Sequence, residues 1–448
     1  MRANLHVNLH RPARLAVVAA VVVAFCATLL TGGSADAAPR GKDGLTGYAF
    51  DARCAPTQEQ MDAWLTSSPF WGVGVYIGGS TASCRTTETD PGQPHLDATW
   101  VSRQRSAGWR VLPIWVGPQA ACSAYGDLID PNPAGEYAAA DARGRAEATA
   151  AVARARELGV ASRTTLWYDL EGGFDVADED CRRSALRFLS GWTEALHDLR
   201  YRSGVYSSIS AGIHVLDNAD NLSPGSYAMP DQVWFAWDNN RADVDVDPRW
   251  VRKDSWEGER VHQYQLHTAA TYGGVPLTID RNFLELDAGS QAPRTLLACG
   301  RTDLDLRSYP RLRTGRSGDA VKALQCLLRK HAGYRARLDG RYDAQVARAV
   351  TKFQRRHDLE RTGRTDPATW TALFARGSKP LMKVGSSGDA ALRLQRALRA
   401  SGPRSVKVTG VVTDRTTRAV ARYQRRLGLD ATGVVTTDTW KALQTGAH

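Results

Sequence analysis

Two acidic side chains stand two residues apart at the end of an apolar run, in the segment Trp167-Tyr168-Asp169-Leu170-Glu171. In an extended strand these two residues would face the same side, with Cα atoms about 6.6 Å apart. Cleavage of a glycosidic bond needs a carboxylic acid that protonates the leaving oxygen and a carboxylate that stabilises positive charge or activates a nucleophile. We expect Glu171, the longer side chain, to be the general acid, and Asp169 to raise its pKa by like-charge repulsion.

Further acids lie in or at the ends of predicted strands, namely Asp51, Asp238 and Asp280. If the strands form a barrel, Asp280 comes near Asp51, and the two could bind sugar hydroxyls or position water; Asp238 is a candidate substrate contact. The alternative is structural, because an aspartate after a strand often only caps the next helix. Asp280 could also simply pair with Arg281.

Aromatic residues near the same strand ends could stack on sugar rings. They are Tyr76, Trp115, Trp167, Trp237 and Tyr264. Each could instead be a packing residue.

The sequence pattern predicts strands and helices that would position these residues in a (β/α)8 TIM-like barrel. The barrel would span residues 43–290, a typical length for that fold. Eight strands are predicted at 47–51, 73–79, 111–116, 165–171, 204–207, 233–238, 261–266 and 277–284, with the clearest helices at 57–65, 134–158 and 179–199. Connections after the fifth, sixth and seventh strands are short or irregular, which favours a distorted barrel. In such a barrel, side chains at the C-terminal ends of the strands carry the chemistry.

The C-terminal third repeats itself at an offset of 70 residues. Gly318-Asp319 recurs as Gly388-Asp389, Leu324-Gln325 as Leu394-Gln395, Phe353-Gln354 as Tyr423-Gln424, Gly363 as Gly433, and Trp370 as Trp440. Apolar residues spaced three and four apart predict about three helices per repeat, the third opening at Asp366-Pro367. The predicted domains are 300–377 and 379–446, and we expect Phe353, Tyr423, Trp370 and Trp440 to be core residues.

The front domain and the C-terminal third of the chain differ in net charge. Residues 300–448 contain 31 Lys and Arg against 12 Asp and Glu, whereas residues 39–299 contain 24 against 34. A basic exported domain fits an acidic polymer outside the cell, such as the peptide stems and anionic polymers of a bacterial wall, better than nucleic acid. The alternative is a basic surface that serves only solubility.

The N-terminus predicts export. Arg11 and Arg14 precede sixteen largely apolar residues, and an A-x-A pattern follows at Ala35-Asp36-Ala37, so residues 1–37 are interpreted as a signal peptide. A lipoprotein at Cys26 is disfavoured because the residue before it is Phe25. We expect a secreted or wall-associated protein with no transmembrane segment in the mature chain, and a monomer.

Six cysteines remain after the signal, an even number that favours disulfides outside the cytosol. Proximity in sequence suggests Cys54 with Cys84, Cys122 with Cys181, and Cys299 with Cys326. A zinc site is the alternative, but the chain has no C-x-x-C pair and no H-E-x-x-H helix. We expect no metal and no cofactor.

Both tail repeats resemble the peptidoglycan-binding domain found at the ends of many bacterial wall hydrolases. The resemblance rests on the Gly-Asp opening, the Leu-Gln helix, the Asp339-Gly340 turn, the Phe353-Gln354 helix and the final Trp-x-x-Leu. The second repeat has Thr409-Gly410 at the turn. The resemblance implies attachment to peptidoglycan through a groove between helices.

The front domain is similar to the glycoside hydrolase family 25 lysozymes, and more closely to a secreted glycoside-hydrolase-like family first catalogued as a domain of unknown function. The similarity rests on residues 47–51 (GYAFD), 74–79 (GVYIGG) and 167–171 (WYDLE), and on Gln263-Tyr264 before Asp280. It implies that Glu171 is the acid and that Asp51 lies in the pocket.

Two hypotheses follow. The first is a secreted muramidase-type wall hydrolase, and the second is a non-catalytic glycan-binding protein on the same barrel. A wall peptidase or amidase would suit the tail, but the front domain lacks the zinc ligands or nucleophile arrangement that such chemistry needs.

Overall fold

The computed structural model describes residues 44–81, 84, 92–223, 225–293, 299, 301–402 and 406–448. The predicted signal peptide lies outside the described residues. Within the described part of the chain, no helix is both long and apolar enough to cross a membrane.

Eight strands form a closed barrel in sequence order. They are β1 (Leu45–Asp51), β2 (Phe70–Gly78), β3 (Arg110–Trp115), β4 (Thr165–Asp169), β5 (Arg202–Ser208), β6 (Gln232–Ala236), β7 (Arg260–Tyr272) and β8 (Val275–Leu286). Strands β1 to β7 are parallel to their neighbours, while β8 is antiparallel to both β7 and β1. The predicted distorted barrel is therefore confirmed.

The reversal of β8 has a local cause. Only Gly273 and Gly274 separate β7 from β8, and both have positive φ. A connection this short makes a hairpin, because a parallel crossover needs a dozen or more residues. Strand β8 therefore enters the barrel at the end where the parallel strands finish.

Helices cover the barrel unevenly. They are α1 (Gln58–Ser67), α2 (Ala98–Ala107), α3 (Ala138–Glu157), α4 (Glu179–Asp198), and the short α5 (Gly212–Asp217) and α6 (Ala219–Leu222). Helix α1 begins where Thr57 and Gln60 form a capping box, and α4 begins where the Asp178 side chain accepts the N–H of Cys181 at 2.9 Å. Residues 237–259, between β6 and β7, contain no helix.

The barrel has two apolar layers. Its interior is filled by Ala49, Leu112, Ile114, Trp167, Trp234, Val261, Leu284 and Leu286, and a larger core lies between the strands and the helices. Glycine makes room at two interior points: a Cβ on Gly204 would lie 2.5 Å from the Trp167 ring, and one on Gly74 would lie 2.7 Å from the Cβ of Asp51. Strand β2 can therefore pass close to the residue that ends β1.

The tail contains two three-helix units. The first has α7 (Asp319–Ala332), α8 (Ala344–Arg356) and α9 (Pro367–Ala375), and the second has α10 (Asp389–Ala400), α11 (Asp414–Arg426) and α12 (Thr437–Gln444). The predicted start of α9 is confirmed, since Asp366 caps it through the N–H of Thr369. The four large aromatic residues expected in the cores, Phe353, Tyr423, Trp370 and Trp440, are fully buried.

The repeated landmarks make the same hydrogen bonds in both units. Gln325 accepts the N–H of Gly340, and Gln395 accepts that of Gly410, each at 2.9 Å. The Trp370 indole donates to the Pro310 carbonyl at 2.9 Å. The Trp440 indole donates to the Pro380 carbonyl at 2.8 Å, so the 70-residue period is also a period of structure.

All three disulfides suggested by proximity are present: Cys54–Cys84, Cys122–Cys181 and Cys299–Cys326. The second ties the loop after β3 to the start of α4. The third ties the segment before the first repeat to α7, which adds covalent support to a small helical unit.

Candidate active site

Four carboxyl groups meet at one end of the barrel. Asp51 ends β1, Asp169 ends β4, and Glu171 follows two residues later. Asp280 lies in the middle of β8, where its pairing with β1 begins, directly across from Asp51 in the antiparallel register. Because β8 is reversed, this point lies beside the end of β1, and Asp280 reaches the same mouth as the other three.

Amide side chains hold the Asp51 and Asp280 pair. The Nδ2 of Asn282 donates to Asp51 Oδ1 at 2.6 Å, and the Nε2 of Gln263 lies 3.4 Å from an oxygen of each aspartate. The backbone N–H of His267 donates to the other oxygen of Asp280. Each carboxyl group therefore faces donors, which stabilise a negative charge.

A second layer orients those amides. The indole of Trp234 donates to Asn282 Oδ1 at 2.8 Å, and the hydroxyl of Tyr206 donates to Gln263 Oε1 at 2.8 Å. With their oxygens occupied as acceptors, Asn282 and Gln263 must present NH2 groups to the acids. The orientation of both amides is thus fixed from the barrel interior.

Gln119 shapes the turn that carries Asp169 and Glu171. It is fully buried, its Oε1 accepts the N–H of Glu171 at 2.7 Å, and its Nε2 donates to the carbonyls of Asp169 at 2.9 Å and Gly117 at 3.0 Å. These bonds satisfy the backbone where β4 ends. Glu171 is half-buried, whereas Asp169 is fully buried, so Glu171 has the access that a proton donor needs.

The environment favours the protonated form of all four acids. Burial, and then the charge of Asp280, raise the pKa of Asp51 to about 7. Burial raises the pKa of Asp169 well above its usual range, although a hydrogen bond from Tyr76 acts in the opposite direction. Burial also raises the pKa of Asp280 and, together with the Asp280 charge, that of Glu171. Four carboxyls this close cannot all ionise at neutral pH.

The charge that raises the pKa of Glu171 belongs to Asp280. The like-charge coupling of Asp169 and Glu171 expected from the sequence acts on Asp169: after burial, the charge of Glu171 is the next cause that raises the pKa of Asp169. One oxygen of Asp169, Oδ1, is buried without a hydrogen-bond partner among the described residues.

Tyrosines complete the mouth. Burial, followed by the charges of the acids, raises the pKa of Tyr76 and of Tyr206, so both hydroxyls stay neutral donors. Partial burial, followed by the charges of Glu171 and Asp169, raises the pKa of Tyr125, which is 40% exposed. Of these three, sequence reasoning found only Tyr76.

Trp167, one of the other predicted sugar-binding aromatics, is fully buried in the barrel interior and packs edge-on against Trp234, below the acids. Trp115 faces outward, and its indole donates to Glu147 Oε2 of α3 at 2.7 Å. Both are packing residues, so the expectation that they stack on a sugar is wrong.

The last two predicted aromatics belong to the outer face. Trp237 lies against the ring of His262, which itself stacks on Phe235 in the outer core. Tyr264 lines a cavity that also contains Tyr48 and Arg281, on the outside of β1 and β8. In β7 the intervening residue, Gln263, points inward, which is why Tyr264 cannot.

Asp238 remains near the site. It is exposed, and its charge contributes to raising the pKa of Asp280. Asp280 does not depend on Arg281 for a partner, because its oxygens accept from Gln263 and His267. In the described part of the chain, no group of three or more His, Cys, Asp or Glu residues has an arrangement that could hold a metal ion.

The closed barrel with clustered carboxyls at one mouth and the helical repeat tail correspond to two known families, a glycoside hydrolase-like domain and a peptidoglycan-binding domain. Residues 62–284 match the family described as Rv2525c-like, glycoside hydrolase-like domain. Residues 317–373 and 387–443 each match the putative peptidoglycan binding domain. The chain therefore contains an Rv2525c-like glycoside hydrolase-like domain followed by two peptidoglycan-binding domains, as the sequence resemblance implied.

Individual proteins resemble parts of the chain. A protein from Kitasatospora aureofaciens, titled "Uncharacterized protein in bpoA1 3'region", is 40% identical over 73 residues, which span 16% of this chain and 62% of that protein. An uncharacterized B. stearothermophilus protein of known structure is 20% identical, covering 54% of this chain and 98% of that one, with a TM-score of 0.35. A family 25 glycosyl hydrolase from Bacillus anthracis is 14% identical, covering 53% and 88%, with a TM-score of 0.32. Structural likenesses this weak carry no argument about activity.

Proposed function

We propose that this protein is an exported wall hydrolase of muramidase type, whose barrel cuts the glycan strands of peptidoglycan while its tail binds the wall. The observation that carries the proposal is the cluster of Asp51, Asp169, Glu171 and Asp280 at one mouth of the barrel, with the pKa of each raised. The two peptidoglycan-binding domains supply the substrate class, and the three disulfides support work outside the cytosol.

Glu171 is the general acid. It is half-buried, so it can reach the leaving oxygen of a bound glycan, and burial together with the charge of Asp280 raises its pKa, which favours the protonated form that a general acid needs. The proton moves from the Glu171 carboxyl to the glycosidic oxygen as the bond to the anomeric carbon breaks. Glu171 then has the charge to take a proton from the incoming water.

Asp280 is the carboxylate that faces the positive charge on the sugar. It accepts from Gln263 and from the backbone N–H of His267, and both bonds favour its ionised form. Asp51, more deeply buried and with a pKa near 7, holds the proton that the pair shares. Tyr76 and Tyr206, as neutral hydroxyls, are hydrogen-bond donors for the sugar or for the acids.

Reducing-end release from purified peptidoglycan tests the proposal. Glu171→Gln keeps the size and the hydrogen bonding of the side chain but removes the proton, and we expect a loss in kcat of roughly 10²- to 10⁴-fold. Glu259→Gln is the matched control, because Glu259 lies at the opposite end of the barrel beside Arg202. It should retain activity.

The alternative, a non-catalytic glycan-binding protein, predicts a different result. Wild type would then release no reducing ends from any peptidoglycan tested, while the full chain would still sediment with cell walls. That combination would overturn the hydrolase and leave the wall-binding role.

A further inference from the structure

The two tail repeats share one internal structure but differ in surface exposure. In the first repeat, residues 313–316 (Arg-Thr-Gly-Arg) are exposed. Their equivalents at the offset of 70, residues 383–386 (Lys-Val-Gly-Ser), are all buried. This face is therefore covered by another part of the protein in the second repeat and is open to solvent in the first.

The covering surface is the base of the barrel. The Nζ of Lys383 donates to the carbonyl of Phe70 at 2.6 Å and lies about 5 Å from the ring centroids of Trp71 and Trp109. The indole of Trp71 donates to the carbonyl of Val384 at 3.0 Å. These contacts bury a lysine completely, and burial lowers its pKa well below the usual value.

A second contact lies further along the same face. The hydroxyl of Tyr48, on the outside of β1, donates to Asp414 Oδ1 at 3.0 Å, where α11 begins. A cavity of about 270 Å³ between these elements is lined by residues of both, including Tyr264, Arg281, Thr417 and Val434. The barrel of the same chain therefore occupies the part of this face that residues 383–386 form, while Arg418, Arg422 and Arg425 on α11 stay exposed beside it.

The residue types follow this difference. Thr314, Arg316 and Arg364 of the first repeat correspond to Val384, Ser386 and Val434 of the second. Each change replaces a polar or charged side chain with an apolar or smaller one. Such replacements suit a face that is buried against Phe70 and Trp71, because an unpaired buried guanidinium would be costly.

The first repeat keeps an open, basic groove at the corresponding place. It has a volume of about 820 Å³, and its lining includes five cationic side chains: Arg313, Arg348, Lys352, Arg355 and Arg364. All five are exposed. Throughout the residues that the structure describes, none of them forms an ion pair, so their charge is available to a ligand.

We propose that the two repeats have different occupants: the groove of the first repeat binds the carboxylate-bearing peptide stems of peptidoglycan, and the equivalent face of the second repeat is a permanent dock for the barrel. The inference rests on the proposed wall-binding role of the tail, and it assigns that role to one repeat. Guanidinium groups suit this ligand because they pair with carboxylates through two parallel hydrogen bonds.

Matched substitutions at the 70-residue offset test the binding half. The full chain carries either Arg348→Ser with Arg355→Ser, or Arg418→Ser with Arg425→Ser, four exposed arginines on α8 and α11. Affinity is measured by sedimentation with peptidoglycan stripped of phosphate-containing polymers, at about 0.15 M salt. We expect at least a tenfold loss for the first pair and less than twofold for the second.

Equal losses for both pairs, or no loss for the first pair, would overturn the division of labour. A loss that appears only on unstripped walls would overturn the peptide-stem ligand and assign the groove to a phosphate polymer. None of these measurements needs catalysis, so an inactive barrel would not affect them. If wild type does not sediment with any wall, the wall-binding role itself is wrong.

The docking half is tested with Lys383→Glu and its counterpart Arg313→Glu. A carboxylate at residue 383 would face the carbonyl of Phe70, so we expect the tail to separate from the barrel and the radius of gyration in small-angle scattering to rise. Arg313→Glu should leave the radius unchanged. Val384→Thr, which copies Thr314, is a milder variant in case Lys383→Glu does not fold, and it should increase hydrogen exchange at Trp71. Unchanged exchange and an unchanged radius would refute the dock.

Discussion

Replacing Asp51 with asparagine should stabilise the protein, and the gain should grow with pH. Asp51 is 4% exposed, and burial together with the charge of Asp280 raises its pKa to about 7 from the usual value of 3.8. The folded state therefore holds this proton more tightly than the unfolded state does. The resulting stability is fully present below the unfolded pKa and is lost as pH rises through the folded pKa. Asparagine carries no charge and still offers an oxygen to Asn282.

The pKa shift of Asp51 determines how much unfolding free energy the substitution should gain. A shift from 3.8 to about 7 corresponds to about 4 kcal/mol of unfolding free energy, at about 1.4 kcal/mol for each pH unit. More than a third of this is already lost at pH 5, and nearly all of it at pH 8. Relative to wild type, Asp51→Asn should therefore gain about 3 kcal/mol between pH 5 and pH 8.

Urea unfolding of the full chain at the two pH values measures this gain. Asp217→Asn is the matched control: Asp217 is equally buried, but it accepts the N–H of Arg252 at 2.9 Å and forms an ion pair with the same arginine. Removing its charge should destabilise the protein at both pH values. A gain for Asp51→Asn that is the same at pH 5 and pH 8 would refute the reasoning, because it would mean that Asp51 ionises in the folded protein at little cost.

Three further outcomes follow from the same structure. Trp167→Ala should lower the unfolding free energy by about 3 to 5 kcal/mol in urea titrations, because it empties the barrel interior; a loss below 1 kcal/mol would contradict its place there. Removing the Cys122–Cys181 bond, with serine at both positions, should lower the unfolding free energy by about 4 kcal/mol, because the bond closes a loop of 59 residues. A melting temperature of this variant equal to that of wild type, both measured under oxidising conditions, would argue against it. If the barrel is a hydrolase, kcat/KM should fall as pH rises above about 7, because Asp51 then loses its proton beside Asp280; a flat profile to pH 9 would exclude that coupling.

The strands were predictable because each is a short apolar run between turn residues, and all eight appear in the structure. The reversal of β8 was not predicted, although the sequence has a signal for it. The glycine pair Gly273-Gly274 between two strand patterns is typical of a hairpin. The expectation that Asp280 lies beside Asp51 is still confirmed, because the antiparallel register also makes them neighbours.

The predicted sugar-stacking role of the aromatic residues was wrong for a physical reason. Both faces of a barrel strand are buried, so its residues do not alternate between apolar and polar. In β3 the inward Leu112 and Ile114 and the outward Trp115 are all apolar, and the sequence has no sign of which side Trp115 takes. In β7 the inward residue is Gln263, which has no distinctive pattern, while the more conspicuous Tyr264 faces the tail.

The amides around the acids were also beyond sequence reasoning. Gln119, Gln263 and Asn282 come from three different strands or loops, and only the folded barrel brings them to Asp51, Glu171 and Asp280. The asymmetry of the two repeats did have a signal. Valine stands at 384 and 434 where the first repeat has Thr314 and Arg364, and a change toward apolar residues on a repeated surface indicates that this surface is covered.

Because the second repeat covers the base of the barrel, a barrel without its tail would have a changed surface. Removing the second repeat would uncover Trp71 and the side of Trp109 that lies against Lys383, both now at most 5% exposed. Newly exposed aromatic surface of this kind favours aggregation. It would also release Tyr48, on the strand that ends with Asp51. Poor activity or poor wall binding by an isolated barrel would then reflect a damaged surface. Deleting only the first repeat would do similar damage, because α9 packs against α10 and α12 in a shared core and Asp305 pairs with Arg396 at 2.7 Å. The informative comparison therefore keeps both repeats and changes only exposed groove residues, as in Arg348→Ser with Arg355→Ser.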